Sequence, residues 1–185
     1  MALLEQALAA KVRPLLAACR KGDEQQVERL LAAGAHPNSP DELDEGWSPL
    51  LMAANEGHAA FCELLLEKGA DIECYRPETA NTALHLAMQS FLNKGDEPGK
   101  LKVVQVLIEY KAIVDTVNNE GWAPIMHAAQ KGCPTLCAAL AMADADVLAR
   151  LPSGSTPSGS TVLILAAQNP EKEPAAEWNV KARPR

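Results

Sequence analysis

Apolar positions along this 185-residue chain alternate between two patterns. A short run is apolar throughout, as in Pro49-Leu50-Leu51-Met52-Ala53-Ala54. The run after it is apolar on one stripe only, as in Phe61, Cys62, Leu65 and Leu66. The second spacing, i, i+1, i+4, i+5, is one face of an amphipathic α-helix. In the first run Leu50, Ala53 and Ala54 predict a short inner helix with a flat, small-residue face. Pro49 marks its start, where a missing N–H has no partner to lose and φ is already helical. Asn55-Glu56-Gly57-His58 breaks it, and Gly57 suits a left-handed turn. Gly69 ends the second helix, and Ala70-Asp71-Ile72 leads into a connecting finger. Helices of about two to three turns do not persist alone in water, so their stability must come from stacking on one another.

The pair recurs. Trp47-Ser48-Pro49-Leu50-Leu51-Met52-Ala53-Ala54 is matched by Asn81-Thr82-Ala83-Leu84-His85-Leu86-Ala87 and by Trp122-Ala123-Pro124-Ile125-Met126-His127-Ala128-Ala129. Ser160-Thr161-Val162-Leu163-Ile164-Leu165-Ala166-Ala167 is a fourth copy, and Arg13-Pro14-Leu15-Leu16-Ala17-Ala18 a weaker fifth. Pro14, Pro49, Ala83, Pro124 and Val162 are equivalent, at separations of 35, 34, 41 and 38 residues. The stripe of the second helix is Val27, Leu30 and Leu31 in the first unit. It is Val103, Val104, Leu107 and Ile108 in the third, and Leu136, Cys137 and Leu140 in the fourth. From the Pro site to the site favouring Gly is 20 residues in three units (Pro14 to Gly34, Pro49 to Gly69, Pro124 to Asp144) but 28 from Ala83 to Lys111. The eight extra residues are placed at 91–98, between the two helices of the third unit, where a surface loop lengthens at little entropic cost and is expected to be dispensable.

A unit of about 33 residues opening T-P-L-H-x-A denotes a stacked solenoid, and the chain resembles the ankyrin repeat family over residues 13 to about 180. The resemblance implies an all-α solenoid of helix-turn-helix units with β-hairpin-like fingers, about five units including degenerate ends. The expected boundaries are a capping helix at 1–12, an array at 13–180 and a frayed basic tail at 181–185. Within the array the units run 13–42, 43–76, 77–117, 118–155 and 156–180, the last a degenerate cap in which Pro170 and Pro174 remove backbone donors.

Aromatic residues are 4% of the chain against 48% hydrophobic, so the interior is Ala, Leu, Val and Ile, which lets short helices approach closely. The formal net charge is −7. That argues against a general phosphate-binding surface, which needs a basic stripe, and no nucleic-acid partner is expected. No apolar run reaches the roughly 18 residues a membrane span needs. Five cysteines, an odd number, without a recognisable signal peptide lead us to expect a reducing intracellular setting, cytoplasmic with the nucleus also open.

Catalytic signatures are absent: no phosphate loop, nucleophile elbow or H-E-x-x-H occurs. The chain is therefore expected to be no enzyme and to need no cofactor. Cys133 and Cys137 lie one turn apart, but a zinc site needs two further ligands, and Cys137 shares a core position with Cys62. His85 stands at the His of the T-P-L-H phrase, which the resemblance makes a structural brace, here on Thr82. Partner contacts in the family map to Asp44, Glu45, Asn55 and Glu56, to Glu78, Thr79, Asn81, Gln89 and Ser90, and to Asn119, Glu120, Gln130 and Lys131. Trp47 and Trp122 each follow Glu-Gly, at a site that faces the concave surface in the family. Either ring is an exposed anchor of the kind enriched at hot spots, or it lies flat on the next finger and stiffens the array. The resemblance thus implies a monomeric, non-catalytic protein-binding module. Its acidic first finger, Asp41 to Glu45, suits a partner with basic character. A targeting or regulatory subunit of an enzyme complex and a purely structural spacer are the alternatives.

Overall fold

Pro49 and Ser48 show how each unit starts. In the computed structural model, which describes residues 14–38, 46–89 and 97–150, Ser48 Oγ accepts from Leu51 N at 3.2 Å and Pro49 opens the helix. Gly57 closes it at φ 84°, with His58 N bonded back to Ala53 O. The described helices are α1 (14–21), α2 (Glu24–Ala32), α3 (Pro49–Glu56), α4 (Ala59–Glu67), α5 (Ala83–Gln89), α6 (Glu97–Glu109), α7 (Pro124–Gln130) and α8 (Pro134–Met142). They form an all-α helix-turn-helix solenoid. Among the described residues the fingers contribute one isolated antiparallel bridge, Tyr75 with Thr82.

Two rows result. The inner row stacks α3 on α5 on α7, the outer row α4 on α6 on α8, and each inner helix packs on its outer partner. An inner helix touches neighbours on both sides and behind, so Pro49 to Ala54, Ala83 to Met88 and Pro124 to Ala129 are all buried. The outer helices bury one stripe: Val27 in α2; Phe61, Cys62, Leu65 and Leu66 in α4; Val103, Val104 and Leu107 in α6; Leu136, Cys137 and Leu140 in α8. Leu65, Leu107 and Leu140 occupy equivalent positions and are each fully buried.

A polar ladder joins the finger bases. The side chain four residues after each outer-helix turn accepts from a backbone N–H of the next unit. Asn38 accepts from Asp71 at 2.6 Å, Glu73 from Ile113 at 2.8 Å and Asp115 from Asp146 at 2.9 Å. These bonds satisfy donors that no sheet satisfies.

Two features differ from the sequence expectation or fall outside it. Glu97 and Pro98, assigned to the inserted loop, instead form the first turn of α6, since Pro is tolerated there. The capping helix at 1–12, Asp44 and Glu45, residues 91–96 of the insertion, and the units beyond 150 lie outside the described residues.

Among the described residues three sites hold positive φ without glycine: Ala80 (55°), Lys111 (70°) and Asp144 (68°). Gly34 and Gly69 occupy the positions equivalent to Lys111 and Asp144. A side chain in this region costs about 1–2 kcal/mol, partly offset by the unfolded-state entropy a glycine adds. Each substitution to glycine is expected to raise stability by about 0.5–1 kcal/mol. A urea midpoint that fails to rise at unchanged slope would remove strain as the explanation.

Candidate functional site

The candidate surface comprises the C-terminal ends of the inner helices and the fingers beside them. Asn55, Gln89 and Gln130 fall at one equivalent position on α3, α5 and α7, where α1 has Arg20. Asn55 is half-buried and donates to Glu56 at 3.0 Å. Glu56, Gln130 and Lys131 are exposed.

Gln89 anchors a buried network that ties the third unit to the fourth. Its Nε2 lies 3.2 Å from His127 Nε2, and its Oε1 accepts from Asn81 Nδ2 at 3.1 Å. Asn81 Oδ1 in turn accepts from Asn118 Nδ2 at 2.9 Å. Asn118 Oδ1 accepts from the N–H groups of Glu120 and Trp122, at 3.0 and 2.9 Å. Because the Gln89 amide nitrogen can only donate, His127 Nε2 is the acceptor and the ring is neutral.

His85 braces the turn as expected and reaches further. Thr82 N donates to His85 Nδ1 at 3.2 Å, and Thr82 Oγ1 sits 2.9 Å from the same nitrogen. The proton is therefore assigned to Nε2, which donates to Trp122 O at 2.9 Å. Burial lowers the pKa of His85. Burial, then the neighbouring His85 and Lys131, lowers that of His127 to about 4. A group whose folded pKa lies below its ordinary 6.5 keeps its full contribution above that value. Stability should fall between about pH 6.5 and pH 4 as the unfolded chain takes up the proton first. In His127→Gln, which keeps an acceptor for Gln89, thermal melts across this window should show a shallower pH slope. An unchanged slope would assign the dependence to other groups.

The two tryptophans separate. Trp122 is only 9% exposed, and its ring stacks on His127 at 4.9 Å between centroids. The expectation of an exposed anchor is corrected here. The Asn118 and His85 bonds to its backbone pin the ring over the α7 face. Asn81, at the equivalent position in the third unit, is 5% exposed with its amide committed, so it too is withdrawn from the accessible face. Trp47 is half-buried against the core, with the Arg76 guanidinium 4.9 Å over its ring. Arg76 also lies 3.9 Å from Glu78. Asn119 and Glu120 are exposed at the fourth finger. Asn119 N donates to Thr79 O at 2.9 Å and its Nδ2 to Glu78 O at 2.8 Å, clamping adjacent fingertips.

Lys100 escaped the sequence reading. It is 2% exposed, and its Nζ donates to Ala54 O at 3.1 Å and to Asn55 O. These are C-terminal carbonyls of α3, which favour a cation. The available signal was positional: Lys100 follows Gly99 as His58 follows Gly57.

No group of three potential metal ligands occurs among the described residues. Cys133 and Cys137 are both buried, and burial raises the pKa of Cys137. A buried thiol that resists ionisation is a poor ligand and a poor nucleophile.

Comparison with known proteins matches this architecture. A model of ankyrin repeats in three copies matches residues 15–97, and a single ankyrin repeat model matches 80–119. A Plasmodium falciparum protein, named provisionally as an E3 ubiquitin-protein ligase, is 32% identical over 111 residues. These cover 58% of this chain and 1% of that protein. An ankyrin repeat-containing protein of Saccharomyces cerevisiae is 44% identical over 62 residues, 34% of this chain and 12% of its own length. The ankyrin repeat and SAM domain-containing protein 6 of Danio rerio is 31% identical over 149 residues, 66% of this chain and 20% of its own. The chain thus spans a fifth or less of these relatives. Models covering residues 15–119, on a solenoid of paired short helices, establish that the chain belongs to the ankyrin repeat family.

Proposed function

We propose that this chain is a non-catalytic protein-binding module that engages its partner across the inner-helix ends and fingers. Ankyrin repeats are interaction modules, and the observation that carries the reading is the run of exposed polar side chains along the inner-helix ends and the fourth finger, Glu56, Gln130, Lys131, Asn119 and Glu120. Asn55 and Gln89 stand at the position of Gln130 in the two preceding units, each already bonded to a neighbouring side chain. Together these side chains donate and accept, which suits a partner segment running along the array. Trp47 adds an indole that is half-buried rather than enclosed, and Asp44 and Glu45 precede it in sequence. The side chains stand on short rigid elements, so little ordering cost opposes binding. The module acts as a monomer in the cytoplasm, with a partner of basic character.

The name of the Plasmodium falciparum relative favours a second reading, in which the array is the targeting arm of a larger enzyme assembly. Photo-crosslinking addresses the surface. A crosslinking amino acid at Gln130 should capture a partner saturably, and one at Glu63, exposed on outer helix α4, should not. Capture from Glu63 alone would move the binding face to the outer row.

A further inference from the structure

Three side-chain amides and one imidazole link the third unit to the fourth, and the direction of their hydrogen bonds is set from one end. Backbone N–H groups can only donate. Those of Glu120 and Trp122 meet one terminal atom of Asn118 at 3.0 and 2.9 Å, so that atom is the carbonyl oxygen. The other terminal atom of Asn118 is therefore the nitrogen, and the Asn81 atom 2.9 Å from it must accept. Asn81 then presents its own nitrogen to Gln89, whose oxygen accepts at 3.1 Å. Gln89 is left with its nitrogen, 3.2 Å from His127 Nε2. Two backbone donors thus fix every amide, and the last member has to be an unprotonated ring nitrogen.

A proton at Nε2 sets two donors face to face, which a buried site penalises heavily. Turning the Gln89 amide would offer its oxygen to the imidazolium but its nitrogen to the Asn81 nitrogen. Turning Asn81 as well passes the conflict to Asn118. Turning Asn118 sets its nitrogen against the N–H groups of Glu120 and Trp122, which cannot turn. No orientation of the three amides accommodates the proton, so one member must leave. Asn81 and Asn118 are 5% and 6% exposed, whereas Gln89 is half-buried at the C-terminal end of α5 and has water to turn to. α7 packs on α5 and α8, and none of the three helices carries a carboxylate that would compensate the charge. The titratable and charged groups around His127 are His85 on α5, its ring centroid 6.0 Å away, and Lys131 at the end of α7. Cys133 and Cys137 lie on the α8 side, and Glu120 on the exposed fingertip.

We propose that this chain of side chains is a proton-sensitive latch between the third and fourth units, closed while His127 Nε2 is unprotonated and opened by a proton that expels Gln89 onto the inner-helix face. The latch does not depend on the protein-binding reading above, since it is read on this chain alone. Closed, it withdraws from the surface an amide of the kind that Gln130 exposes one unit later. Opened, it releases that amide and deprives Asn81 Nδ2 of its acceptor.

Nitrogen NMR on isotopically labelled full-length chain reads the polarity, because protonated and unprotonated ring nitrogens resonate far apart. Near neutral pH His127 Nε2 should be unprotonated. Asn118→Asp, two amides removed from the imidazole, should reverse the relay. A carboxylate still accepts from the Glu120 and Trp122 N–H groups but now requires Asn81 to donate. Asn81 and Gln89 both turn over, and His127 Nε2 should carry a proton near neutral pH. Adding Gln89→Met to Asn118→Asp should abolish this effect, since a through-space field acts without the amide and the relay does not. Gln89→Glu accepts from Asn81 and from a protonated ring alike, and should raise the His127 midpoint by about 1–3 pH units, the effect of an adjacent opposite charge. Should Asn118→Asp fail to fold, the wild type carries the test: the Gln89 side-chain amide signals should move with the His127 titration while those of Gln130 stay. A protonated Nε2 in the wild type near neutral pH overturns the proposal. So does an unprotonated Nε2 in folded Asn118→Asp, an effect that survives the loss of Gln89, or a His127 titration that leaves the Gln89 amide unmoved.

Discussion

Replacing Lys100 with alanine lowers the stability of the array by about 3 kcal/mol, within the range for hydrogen bonds from a buried charge and for breaking a buried ionic contact. The ammonium satisfies Ala54 O and Asn55 O at the end of α3. Its methylenes cover Gly57, with Cδ 3.5 Å from where a Cβ on that glycine would stand. Both contributions vanish in the alanine variant, and Lys100→Met separates them. Methionine restores packing over Gly57, removes the charge that had to be desolvated, and leaves the carbonyls without their donor. It is expected to recover about half of the loss. A urea melt placing Lys100→Ala within about 0.5 kcal/mol of the parent, the usual range for surface changes, would show that the buried cation contributes nothing net. Amide exchange at 57–59 gives a local reading of the same event, because loss of the donor frays the α3 terminus first.

Leu65→Ala is expected to cost about 2–5 kcal/mol, the range for a large-to-small change in a closed core. Leu65 is fully enclosed in α4, with α3 beside it and α6 stacked against the helix. The array contains its own control. Leu30 is the equivalent residue of α2 and is only half-buried, so Leu30→Ala removes less enclosed surface and should cost roughly half as much. Chemical denaturation of both variants checks the pair. Equal losses would mean that packing density does not vary along the stack as the burial does.

The helical frame was legible because local rules and packing agree. Pro49 and Pro124 begin helices, Gly57 and Gly69 end units of chain, and the stripe Phe61, Cys62, Leu65 and Leu66 points inward. Each of these signals acts over a few residues, which is the range a sequence pattern reports. The surface was less legible because exposure depends on the neighbouring unit. Trp47 and Trp122 share one register, yet a guanidinium covers the first and an imidazole 21° from parallel covers the second. Nothing within either Glu-Gly-Trp distinguishes them. Asn81 shows the same limit, since its committed amide depends on Asn118, 37 residues away. Lys100 reads as a solvent-facing cation at the start of a helix, and only the carbonyls of α3, 45 and 46 residues distant, make it a buried one. The unit lengths give the size of the insertion but not where the next helix begins, and Glu97 and Pro98 stand in the first turn of α6, where a proline breaks nothing.

The ladder at the finger bases carries a consequence for anyone who wishes to lengthen this protein. Asn38, Glu73 and Asp115 each offer an oxygen to the following unit, and the next position in that series is Leu148. A leucine has no acceptor to hand on. A designed module fused after the fourth helix pair would dock through its apolar faces alone and lack the hydrogen bond that sets the pitch of every earlier joint. Leu148→Asp before grafting supplies the missing rung, and the graft then begins from a surface that already specifies where its first backbone donor belongs.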